Sequence, residues 1–167
     1  IAGCGSMALY YVTFIKRNPL LIAKDEEFRA YTVVLIIATF AVAINLFSGF
    51  YGDFTQKIRY AAFQVVSLTT GTGHITYNYD QWTHGVKMIL LVLMFLGGCQ
   101  YSTTGGIKMA RLLIAIKFIN RETVKYLHPT FIGPIRINKN PLPEPVVINV
   151  IGYFILYFIL FFISALL

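Results

Sequence analysis

Thr70-Gly71-Thr72-Gly73-His74 is the stretch of this chain best equipped for chemistry without a formal charge. Glycine reaches backbone conformations that aim successive carbonyl oxygens one way. Threonine adds a neutral hydroxyl acceptor. A row of such oxygens can replace the hydration shell of a cation, as potassium-type filters do. Thr70, Gly71, Thr72 and Gly73 are thus candidate ion ligands, acting through main-chain carbonyls. The same residues also read as a polar turn between two membrane segments, so the flanking elements must decide.

Before them, Tyr60 to Leu68 reads as a helix of about 9 residues, roughly 14 Å long. That reaches half-way through a hydrocarbon core of about 30 Å. A short helix going in and a Thr/Gly strand coming out is a re-entrant loop, tolerated at that depth only when buried in protein or lining a wet cavity. The helix would point its partly negative C-terminal end at the cavity, which favours a cation.

After them, helical patterning runs from His84 to Lys125, about 60 Å at 1.5 Å per residue and twice the core thickness. In its middle lie Gly97, Gly98, Cys99, Gln100, Tyr101, Ser102, Thr103, Thr104, Gly105 and Gly106. Four glycines there weaken a helix by about 4 kcal/mol relative to alanine. One reading is close helix packing through small residues. The other is a break in the helix beneath the filter, where transport proteins place ion paths and gates.

The whole chain agrees with a membrane setting. Of its 167 residues 57% are hydrophobic and 13% charged, against about 25% charged in soluble domains. Mean hydropathy is +0.68. A soluble enzyme, a disordered tail and a disulfide scaffold are excluded on composition. Ala30 to Gly52, Met88 to Ile107 and Pro145 to Leu167 lack Asp, Glu, Lys and Arg, and each is long enough to span. Ile1 to Ile15 reads as the tail of a further helix. The start at Ile1 and the apolar end at Leu167 suggest a piece of something longer.

The net charge of +7 is explained by basic loops on the cytoplasmic side rather than by nucleic acid. One such loop carries Lys16, Arg17, Lys24 and Arg29 beside Asp25-Glu26-Glu27; the other runs from Lys108 to Lys139, and Asp53 to Lys87 lies outside. Lys117, Arg121 and Lys125 recur every four residues as a basic face for lipid headgroups or a partner. No enzymatic residue set emerges: His74, His84 and His128 fall in different segments, and no cofactor motif is present. A non-conducting membrane scaffold remains the opposing reading.

Ser67 to Trp82 and the run Met94-Phe-Leu-Gly-Gly-Cys-Gln-Tyr-Ser-Thr-Thr-Gly-Gly-Ile-Lys108 are similar to two motifs of the Trk/Ktr/HKT superfamily of potassium transporters, specifically its TrkH/KtrB-like membrane subunits. Leu127-His-Pro129 and Arg136 to Val146 also look like that family, so the resemblance covers nearly the whole chain. It implies an all-α integral membrane fold built from potassium-channel-like helix–pore loop–helix repeats with a broken second helix. On it, residues 1–27 end one repeat and its cytoplasmic loop, 28–126 form the next, 127–145 are a cytoplasmic loop, and 146–167 begin another.

The resemblance also implies K+ as the transported ion, bound by the carbonyls of Thr70, Gly71, Thr72 and Gly73, with Gly97 to Gly106 as an intramembrane gate. It implies a multi-pass location in the cell (inner or plasma) membrane, a homodimer, and docking to a cytosolic nucleotide-binding regulatory subunit of the TrkA/KtrA kind. Lys117, Arg121, Lys125, Arg136 and Lys139 are candidates for that surface. A Na+-permeable or Na+-coupled member is the alternative within the superfamily. Three departures are visible: Gly71 stands where threonine is usual, His74 where Phe or Tyr is common, and Gln100-Tyr101 where small residues are usual.

Overall fold

A computed structural model describes residues 5–16, 24–47, 53–128, 133–138 and 140–166. Ile1 to Cys4, Arg17, Pro129, Lys139 and Leu167, which figure in the expectations above, lie outside the described residues. The fold is mostly helical. Six α-helices are described: α1 (Met7–Lys16), α2 (Glu26–Phe47), α3 (Phe54–Thr69), α4 (His84–Phe95), α5 (Met109–Leu127) and α6 (Glu144–Leu166). The chain divides into two compact units, Ile1–Met109 and Ala110–Leu167.

In the first unit α2, α3 and α4 pack on one another. Helix α2 opens on Asp25, whose carboxylate accepts the Phe28 N–H at 3.0 Å. Capping answers one of the donors that a helix start leaves unpaired. Tyr31, Leu35, Ala38, Val42 and Leu46 recur at three- and four-residue spacing and are buried. The other face is apolar too: Ile36, Ile37, Phe40 and Ile44 are all exposed. Its few polar groups fold back on the helix, with Thr32 Oγ1 donating to Phe28 O and Thr39 Oγ1 to Leu35 O, each at 2.8 Å. A helix apolar all round, with its threonine hydroxyls satisfied internally, suits lipid or further protein on every side.

Helix α3 corrects an expectation. It begins at Phe54, not near Tyr60, and has 16 residues. Asp53 is its N-cap, accepting the Phe54 N–H at 2.9 Å. The first turns carry Thr55, Gln56, Lys57 and Arg59, which are competent in a helix but invisible to a search for apolar runs. At 1.5 Å per residue α3 spans about 24 Å, still short of a full crossing of about 30 Å.

Met88 to Ile107 is likewise not one continuous span. Helix α4 stops at Phe95, helix resumes at Met109, and a folded loop lies between. Among the described residues two helices are long and apolar enough to cross a membrane, Glu26–Leu46 and Glu144–Leu166.

The second unit contains α5, a short antiparallel hairpin and α6. Strands β1 (Arg136–Ile137) and β2 (Asn140–Pro141) form the hairpin, a small addition to an expected all-helical chain. Ile114, Ile135, Val147 and Val150 make its core, with Phe118, Leu142 and Phe154 packed around them. Most of α6 beyond Val150 is exposed although strongly apolar.

Candidate functional site

The Thr/Gly segment starts where α3 ends. The N–H groups of Thr70 and Gly71 donate to Val66 O and Leu68 O at 2.9 and 3.1 Å. Those of Thr72 and Gly73 both donate to Ser67 O, at 3.0 and 3.3 Å. Four consecutive donors are thus turned back onto the helix. Among the described residues, none of the four carbonyls accepts a hydrogen bond.

Backbone hand explains the arrangement. Gly71 and Gly73 have φ of +68° and +71°, while Thr70 lies at −82°. A right-handed Thr70 followed by a left-handed Gly71 brings successive N–H groups to one side. A side chain would strain both glycine positions. A Cβ would meet nothing within 4 Å at either, so conformation rather than space demands glycine.

Ser67 closes the segment from outside: its Oγ donates to His74 O at 2.6 Å. The Thr70 hydroxyl donates to Ser67 O at 3.1 Å and pairs with Thr72 Oγ1 at 2.6 Å. Beyond it, Tyr77 stacks on Tyr60 of α3 with ring centroids 5.6 Å apart, and Trp82 is buried. Residues 71–76 are exposed in this chain. A row of uncommitted carbonyls at the partly negative end of a helix can coordinate a cation.

The second candidate, Gly97 to Gly106, is a closed loop. Leu96 and Ile107 form a parallel bridge, with Gly97 N donating to Ile107 O at 2.8 Å and Ile107 N to Phe95 O at 2.9 Å. Met109 N donates to Gly98 O at 3.1 Å. The backbones meet so closely that a Cβ on Gly97 would lie 2.2 Å from Gly105 O, and one on Gly106 3.0 Å from Phe95 O. Gly106 also has φ of +77°. These two glycines permit close backbone approach, a role beyond weakening the helix. A Cβ on Gly105 meets nothing within 4 Å.

Inside the loop Gly98 N donates to Thr104 Oγ1 and Ser102 Oγ pairs with the same hydroxyl, both at 2.8 Å. Lys108 fills the middle. Its ammonium donates to Ser102 O at 2.9 Å, to Ser102 Oγ at 3.1 Å and to the Thr104 carbonyl. Cys99 is buried, whereas Gln100 and Tyr101 lie exposed at the tip. The Gln100 N–H donates to a carboxylate oxygen of Glu27, in the first turn of α2. Sequence reasoning missed both charged residues. Lys108 had a usable signal, a cation next to carbonyls that a broken helix leaves unpaired; Glu27 had none.

The basic positions of the second unit are partly engaged. Lys117 Nζ donates to Arg136 O at 2.7 Å, and Arg121 pairs with Glu144 at 2.5 Å and Glu122 at 3.1 Å. The hydrogen bond from Glu144 holds the Arg121 guanidinium above its ordinary value despite desolvation, so it stays charged. Arg111 lies 3.9 Å above the Tyr153 ring. Lys125 and the Arg136 side chain are exposed.

A family model described as TrkH, cation transport protein, matches residues 11–167. The Trk system potassium uptake protein TrkH of Salmonella typhimurium is 32% identical over 155 residues, covering 92% of this chain and 32% of that protein. The Trk system potassium uptake protein TrkG of Escherichia coli K12 is 28% identical over 155 residues, covering 90% of this chain and 31% of that protein. A crystal structure of the potassium transporter TrkH from Vibrio parahaemolyticus superposes with a TM-score of 0.92 at 28% identity, over 99% of this chain and 36% of that one. The chain thus spans about a third of the length of these relatives.

Proposed function

The chain belongs to the TrkH family of cation transport proteins, and from that premise we propose that it supplies one helix–pore loop–helix repeat of a K+-conducting membrane subunit. In this reading α2 is the outer helix, α3 the pore helix, and α4 with α5 the broken inner helix. Thr70, Gly71, Thr72 and Gly73 are one wall of a carbonyl filter, completed by comparable loops elsewhere in the full-length protein. The carbonyls that accept no hydrogen bond while all four N–H groups are engaged carry the proposal. A filter needs oxygens free to replace water around an ion. The names of the relatives, potassium uptake proteins, support K+ as that ion.

The loop from Gly97 to Gly106 is the gate in this reading, since its backbone interrupts the inner helix between α4 and α5. The exposed apolar faces of α2 and α6 contact lipid, further repeats or a second copy in a dimer. Of the described candidates Lys117, Arg121, Lys125 and Arg136, Lys125 and Arg136 are exposed and best placed to meet a cytosolic nucleotide-binding regulatory subunit. The test is Rb+ or K+ uptake by the full-length protein in cells lacking other uptake systems. Uptake that saturates with K+ and resists Na+ competition is expected. A well-expressed protein without cation flux would return the chain to the scaffold reading.

A further inference from the structure

The gate loop is anchored at its neck and in its interior by its own residues. Its tip reaches another element. Cys99 to Ser102 is a four-residue turn, closed by Ser102 N donating to Cys99 O at 3.1 Å. Its third residue, Tyr101, has φ of +65°. Turns with a left-handed third residue ask for glycine or asparagine there, and a bulky side chain makes that conformation unfavourable. Left alone, the tip would tend to relax. The second residue of such a turn, Gln100, has an N–H outside the turn's own hydrogen bond, and that N–H donates to Glu27. Glu27 is itself fixed: it lies in the first turn of α2, directly behind the Asp25 cap.

We infer that Glu27 is a positioning residue that latches the tip of the loop to the outer helix of the same repeat. Its carboxylate and a main-chain N–H form a charge-assisted bond, among the stronger hydrogen bonds of proteins. It ties the strained turn to an element that packs against α3 and α4. The latch acts through the backbone, so it is indifferent to the side chain at position 100. Opening the loop requires breaking it, and the effect on flux rests on the gate reading above.

The native thiol of Cys99 provides the readout, because it is buried within the same turn. In the full-length protein, labelling of Cys99 by N-ethylmaleimide, read by peptide mass spectrometry, should be about tenfold faster in Glu27→Ala. Glu27→Gln keeps an acceptor oxygen and should fall between it and the parent; it serves alone if the alanine variant does not fold. Gln100→Ala retains the N–H and should label at the parent rate. K+ flux should rise with K+/Na+ preference unchanged, which a general loosening would not give. An unaltered Cys99 rate in both Glu27 variants overturns the latch whatever the flux does. Faster labelling with unaltered flux leaves the latch standing and overturns the gate reading instead.

Discussion

The Ser67 hydroxyl donates to the carbonyl of His74 across seven residues at 2.6 Å, closing the Thr/Gly segment into a loop anchored on the end of α3. Ser67 is buried, and its own carbonyl receives the N–H groups of Thr72 and Gly73. Ser67 therefore holds the later part of the proposed filter wall through both its hydroxyl and its carbonyl. Ser67→Ala should remove about 1 kcal/mol of restraint and lower the K+ over Na+ preference in competition uptake. Ser67→Thr keeps the donor and should retain most of it. Equal preference in Ser67→Ala at equal expression would show that the clamp is dispensable.

Gly73 and Gly71 should differ from most glycines in how they fail. Space is open at both, so Ala and Ser should be alike, each raising the cost of the left-handed backbone by about 1–2 kcal/mol. K+ selectivity should drop in Gly73→Ala and Gly73→Ser. Asparagine, which tolerates that conformation, should be the mildest replacement at Gly71. Parallel uptake curves with K+ and Na+ check both points.

Gly97 and Gly105 make an internal contrast. Gly97→Ala sets a Cβ 2.2 Å from Gly105 O, and backbone must move. Gly105→Ala meets open space and should be nearly neutral. Thermal unfolding of the full-length protein in detergent should show a clear loss for the first and little for the second. Equal effects would contradict the closed neck of the loop.

Lys108 should matter through its charge. Lys108→Met keeps length and apolar bulk but gives up charge-assisted bonds of about 1.5–3 kcal/mol each inside the loop. Flux should rise and selectivity should hold, because the filter is a separate element. Lys108→Arg, too large and planar for the same oxygens, should rescue only in part. Unchanged flux in Lys108→Met would mean that the neck alone holds the loop.

Tyr101→Gly should relieve the left-handed strain of about 1–2 kcal/mol and steady the loop, whereas Gln100→Ala/Tyr101→Ala removes tip bulk while leaving strain in place. The double alanine variant should conduct more K+ than Tyr101→Gly. Lower flux in the double variant would remove these side chains from any obstructing role.

What the sequence determined by itself is local. Runs without charge mark α2 and α6, a helix too short to cross precedes Thr70, and glycines between Gly97 and Gly106 interrupt a helix, because hydropathy and propensity are properties of neighbouring residues. Its reading erred where the signal was polar: Asp53 starts α3 six residues before the first apolar run at Tyr60, through a cap rather than through hydrophobicity. Tertiary structure decided the rest. Whether Gly97 and Gly105 touch depends on the chain returning to its own neck, and whether Lys108 points to solvent or into Ser102 and Thr104 depends on the pocket the loop makes. Glu27 and Gln100 are 73 residues apart. No spacing or composition joins them, since a carboxylate and a backbone N–H are both common, and only the packing of α2, α3 and α4 makes them partners.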